Sequence, residues 1–181
     1  MHFAIFARYR GRERRRAEFV RRSAEALSTL EGAGEFSVVR VEDIAAEPDT
    51  PEGFVNATLA LLAAGDWAIG LSCSHDSLNQ AELVLPQRAK AGHVYVAAGE
   101  FSKELQASFT LLQFVLSKRT KEGREATSLV RSGLSQIEAA DALGISKQAM
   151  SQRLQAAGWQ AEQAGYQQAV SLWCRAAQSL R

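Results

Sequence analysis

Residues Gln136–Gln155, QIEAADALGISKQAMSQRLQ, have the pattern of two helices joined by a tight turn. The first short helix, Gln136–Leu143, is expected to stop at Gly144, because glycine takes the left-handed conformation that closes a helix without steric cost. Ile145 then plugs the space between the helices, and Ser146 caps the second through its hydroxyl. Ala140 lies where the helices cross, and its small side chain permits close approach. Leu143, Ile145, Met150 and Leu154 supply the apolar contact. This leaves Ser146, Lys147, Gln148, Ser151, Gln152 and Gln155 on the other face of the second helix. A core hairpin has no use for so many amides and hydroxyls on one face. In a helix-turn-helix the second helix enters the DNA major groove with its N-terminal residues nearest the bases. Gln pairs two-point with adenine, and Lys reaches guanine or phosphate. The six polar residues are therefore the expected base readers. A plain helix hairpin is the competing reading.

Outward from this segment, Arg124–Arg131 reads as the preceding helix, with Ala126, Leu129 and Val130 on its buried side. Arg124, Arg131 and Arg153 are expected phosphate contacts, which position a protein on DNA without specifying sequence. Beyond the motif, Trp159, Tyr166, Trp173 and Leu180 recur every seven residues. Such a seam suits a terminal helix that packs back on its own chain or joins two copies.

The preceding residues alternate strand and helix signals. Phe3–Ala7, Phe36–Val41, Trp67–Cys73 and His93–Ala98 read as strands, with Phe36, Val38 and Val41 facing a core. Arg12–Leu30 reads as a helix with Ala17, Val20, Ala24 and Leu27 inward. Phe54–Ala64, Asn79–Lys90 (weakened by Pro86) and Phe101–Ser117 read as three more. In the last of these Leu105, Phe109, Leu112 and Leu116 form a stripe. Glu42–Gly53 holds five acids with Pro48 and Pro51, and reads as an exposed loop. The expected fold is an α/β (α+β) domain of about four strands over residues 1–118. An all-α helix-turn-helix domain over 119–158 and a terminal helix over 159–181 follow. No Pro/Ser-rich linker separates them, so the coupling is expected to be rigid or semi-rigid.

Composition sets the class. The chain has 181 residues, 46% of them apolar and 23% charged, as in an ordinary soluble globular protein. No apolar run reaches a membrane span, and MHFAIFARYR lacks a signal peptide's apolar region. A cytoplasmic protein with no membrane partner is expected. Cys73 and Cys174, far apart and without a motif, read as buried thiols. Net charge is +1, but it is segregated: residues 1–30 carry eight Arg against three Glu, residues 31–66 one Arg against eight acids, and residues 117–181 nine bases against five acids. A locally basic reading region is enough to attract phosphate.

Arg8, Arg10, Arg12, Arg14, Arg15 and Arg16 crowd one strand-to-helix turn. Cations at a helix N-terminus oppose its dipole, so a negative group is expected nearby. Three readings compete: the acidic loop at Glu42–Glu52, a DNA backbone, or a small anionic ligand. Ser72, Cys73, Ser74, His75 and Asp76 include the residue types of a hydrolase triad, but consecutive residues do not converge as one. They read as a strand-end loop. Gly32 and Gly34 lack the Lys-Ser/Thr pair of a P-loop. No catalytic residue, metal site or cofactor is expected, and any small-molecule effector stays unspecified.

Gly133–Trp159, GLSQIEAADALGISKQAMSQRLQAAGW, resembles the end of SatD-family bacterial proteins, and Asp66–Ser72, DWAIGLS, sits where such proteins have a glycine-containing strand. Ser146–Leu154 is also similar to the DNA-reading helices of bacterial sigma factors and response regulators. The resemblance implies mainly a domain order; the expectation of a bacterial-type transcriptional regulator comes from the helix-turn-helix pattern itself. SatD-like chains usually carry a Gly-Asp pair after the first strand and a Gly-Asp-Glu-Phe-like turn further on, somewhat as nucleotide cyclases do. Here those positions read Ala7-Arg8-Tyr9-Arg10 and Val41-Glu42-Asp43-Ile44. Two-metal nucleotide chemistry needs paired carboxylates, so the N-terminal region is expected to be a scaffold, dimer surface or sensor. The alternative is a nucleotide-binding sensor, or a degenerate cyclase-like enzyme, with an accessory helix-turn-helix.

Overall fold

A computed structural model describes residues 2–179. Strand β1 (His2–Tyr9) alternates its side chains between two buried faces. Ile5, Ala7 and Tyr9 enter one apolar cluster, and Ala4 and Phe6 enter another. A strand buried on both faces belongs inside a sheet. β1 indeed runs antiparallel between β3 (Asp43–Ala46) and β4 (Trp67–Ser74). β2 (Ser37–Arg40) and β5 (Val94–Ala97) form the edges, giving the order β2-β3-β1-β4-β5, with β4 and β5 parallel. The fold is thus mixed α/β, with five strands rather than about four.

One face of the sheet carries the larger core. Helices α1 (Arg16–Ser28), α2 (Pro51–Ala64), α4 (Ser102–Ser117) and α8 (Trp159–Ser179) contribute to it through Val20, Phe54, Phe109 and Trp173 among others. The expected Leu105, Phe109, Leu112 and Leu116 stripe of α4 is buried there. The other face is covered by α3 (Ser77–Val84), whose Ala81 packs with Ala4, Phe6 and Ala68. Gly70 of β4 makes this contact possible. A Cβ on it would lie 2.0 Å from the Ala81 carbonyl oxygen, so only glycine lets the helix lie so close.

The expected acidic loop at Glu42–Gly53 is corrected. Asp43–Ala46 is the buried strand β3, and α2 begins at Pro51 with Thr50 as its cap. Asp43 tolerates burial because Arg8 lies directly opposite it across the strand pair and donates through Nε at 2.9 Å, while Arg40 adds a second contact at 3.1 Å. β2 is also corrected: Phe36 is buried just before it, but Val38 and its neighbours in β2 are exposed on both faces, as is Val41 beyond its end, because neither face of this edge strand is covered. α1 begins at Arg16, not Arg12, and Ala17 is exposed. α3 ends at Val84, two residues before Pro86. Cys73 is buried, and burial pushes its thiol pKa up; Cys174 is only half-buried.

Helices α5 (Lys121–Arg131), α6 (Gln136–Ala142) and α7 (Lys147–Ala156) enclose a separate small core of Ala126, Ala139, Ala140, Met150 and Leu154. α8 joins the two cores. Trp159 at its start packs on the small one, and Trp173 is fully buried between Phe54 and Phe3, with ring centroids at 4.7 and 6.2 Å. The Trp173 position of the heptad seam is therefore occupied within the chain. Leu180 lies outside the described residues.

Candidate nucleic-acid interface

The polar face of α7 follows from local chemistry at its start. Ser146 is extended, and its hydroxyl accepts from the Ala149 amide at 3.1 Å, fixing where the helix begins. Gly144 in the turn before it has φ +63°, the left-handed conformation expected from sequence. From that start, Met150 and Leu154 turn inward against Ala139 and Ala140. Ser146, Lys147, Gln148, Ser151, Gln152 and Gln155 are all exposed. Lys147, Ser151 and Gln155 repeat every four residues, and Gln148 and Gln152 run beside them, so the set forms one continuous stripe. α6 is fixed by a reciprocal cap. Ser135 accepts from the Glu138 amide while the Glu138 carboxylate accepts from the Ser135 amide. The Ser135 hydroxyl and amide together hold the Glu138 carboxyl below its usual range.

The three expected phosphate-contacting arginines sit differently. Arg124 is exposed and donates to the Arg119 carbonyl at 2.9 Å. Arg131 is paired with Glu162 and lies over the Trp159 ring, toward α8. Arg153 is half-buried near the end of α7. Sequence reading missed the group that Arg131 joins. Glu162 of α8, 1% exposed, also binds Arg119 at 2.5 Å, and Arg119 donates through Nε to the Ala157 carbonyl at 2.8 Å. This buried cluster ties the end of α4 to α7 and α8. It spans 43 positions from Arg119 to Glu162, and no local pattern announces it.

The arginine turn divides. Arg8 pairs with Asp43, and Arg10 and Arg16 reach Glu42 at 3.8 and 2.5 Å. Arg10 also donates to the Gln87 and Ala89 carbonyls. The acidic residues at 42 and 43 are thus the partners of this half. Arg15 meets Glu18 at the surface, while Arg12 and Arg14 are exposed and carry no ion pair among the described residues. The cleft beside this turn sets Arg8, Arg10 and Arg40 against Glu42, Asp43 and Glu82, so it holds no excess charge for a phosphate. At the end of β4, Ser72 donates to the Ser77 carbonyl, and His75 and Asp76 are exposed in the turn before α3. Strand β4 runs through Ser74, so the expected strand-end loop is confined to His75 and Asp76.

No family model, curated protein or solved structure matches the chain. Among the described residues, no helix is long and apolar enough to cross a membrane.

Proposed function

We propose that this protein is a sequence-reading DNA-binding protein of the cytoplasm, a bacterial-type transcriptional regulator of SatD-like domain order. α5, α6 and α7 act as the DNA-binding unit, with α6 and α7 as its helix-turn-helix. The sheet and its helices act as scaffold, and α8 braces the two. One observation carries the reading: Lys147, Gln148, Ser151, Gln152 and Gln155 of α7, with the cap Ser146 before them, are all exposed, while Met150 and Leu154 are buried in the small core. Lys147, Gln148, Ser151 and Gln152 lie in the N-terminal part of α7, the part that meets base edges in this docking mode.

Arg124 serves as the phosphate contact: its bond within the chain goes to a neutral carbonyl and leaves its charge free, whereas Arg131 already faces the Glu162 carboxylate. The nucleotide-sensor alternative has less support, because the arginines nearest the acidic residues are already neutralised by them.

The test is binding of the purified protein to fragmented genomic DNA of its host, followed by sequencing, at moderate and raised salt. Enrichment of a few sites is expected. Retention that is salt-sensitive but unselective would replace sequence reading with an architectural role. No retention would remove the DNA reading. On an enriched site, Gln148→Ala and Gln152→Ala should each relax base choice by about 1–3 kcal/mol at one step. Arg124→Ala should weaken all sequences alike and lower the salt slope by about one. Uniform weakening by the Gln variants would overturn the division between readers and positioners.

A further inference from the structure

α4 has two faces, and the protein uses only one of them. Leu105, Phe109, Leu112 and Leu116 are buried in the main core. On the outer side, Glu104, Ala107, Leu111, Phe114 and Lys118 are all exposed, with Leu111 at 68% and Phe114 at 61%. These five are spaced three, four, three and four residues apart. That is the seam spacing of helices that pack along their length. An apolar groove between α4 and the edge strand β5, lined by Val96, Ala107 and Leu111 among others, continues the patch. Solvent-facing Leu and Phe at seam positions mark an interaction surface rather than scattered surface residues.

The charges at the two ends of the seam say what fits it. Glu104 stands at one end and Lys118, over the Phe114 ring at 5.4 Å, at the other. A second α4 laid parallel would set Glu against Glu and Lys against Lys. Laid antiparallel across a two-fold axis near Leu111, it sets each Glu104 near Lys118 of the second copy. The same arrangement puts the large Phe114 opposite the small Ala107. An isologous contact needs a surface complementary to itself under a two-fold rotation, and this stripe has that property in both charge and size. We infer that the outer face of α4 is a homodimer interface, with the second copy's α4 packed antiparallel on it. This places self-association on α4 rather than on the α8 seam, and it does not depend on the DNA reading.

Analytical ultracentrifugation over a range of concentrations tests it, without DNA. The wild-type protein should sediment as a dimer. Leu111→Glu and Phe114→Glu should be monomers with unchanged circular dichroism, since both side chains already face solvent. Glu104→Lys alone should raise the dimer dissociation constant about tenfold by placing like charges together at both ends. Glu104→Lys combined with Lys118→Glu should recover it. A wild-type monomer at every concentration, or a dimer that survives Leu111→Glu, would overturn the interface. Failure of the double charge reversal to recover association would overturn the antiparallel arrangement.

Discussion

Arg119→Met should destabilise the protein by about 3–5 kcal/mol, read as a shift in the urea midpoint at constant slope. Glu162 is 1% exposed, and Arg119, itself 6% exposed, is its buried partner at 2.5 Å. Removing the guanidinium leaves a carboxylate inside the protein with only the more exposed Arg131 to meet it, and it also strips the Ala157 carbonyl of its donor. The cost comes mainly from the abandoned charge, so a second substitution should repair it. Glu162→Leu added to Arg119→Met replaces an ion pair by apolar packing and should return much of the loss. Arg131→Met should cost far less, because its side chain is 42% exposed and solvent screens the pair. Equal effects of the Arg119 and Arg131 substitutions would show that burial does not govern this cluster.

Trp173→Ala should cost about 3–5 kcal/mol, the usual range for emptying a large aromatic site in a core. The ring is fully buried, edge-on to Phe54 and Phe3, and it is the main anchor of α8 on the sheet. Trp173→Phe should cost clearly less than the alanine change. It keeps most of the contact, and it removes an indole N–H that meets no acceptor among the described residues. Circular dichroism during denaturation reads both variants independently of tryptophan fluorescence. A loss below 1 kcal/mol for the alanine variant would show that α8 is not held by this core.

The α5–α7 segment was legible in sequence because its signals are local. Gly144, Ser146 and the apolar spacing of Met150 and Leu154 act within a few residues of one another. The Ser135–Glu138 cap was equally local and could have been read from Ser-Gln-Ile-Glu. The stripe of α4 was legible for the same reason. β3 was not, because Glu42 and Asp43 look like loop residues until their partners are known. Those partners are Arg8, Arg10, Arg16 and Arg40, and all but Arg40 lie far away in the sequence. Val38 and Val41 have strand composition, but only the strand order makes β2 an edge. Arg131 reads in sequence only as a basic residue at the end of a helix, and only the fold brings Glu162 to it.

The contact of Phe3 and Phe54 with Trp173 bears on how the chain is made. A ribosome delivers Phe3 of β1 about 170 residues before the tryptophan that covers this face. At ordinary elongation rates, the interval between Phe54 and Trp173 is on the order of ten seconds. Throughout it, two aromatic rings of the nascent chain wait without their lid. Such a polypeptide presents a sticky surface to chaperones and to its neighbours on a polysome until α8 arrives to cover it.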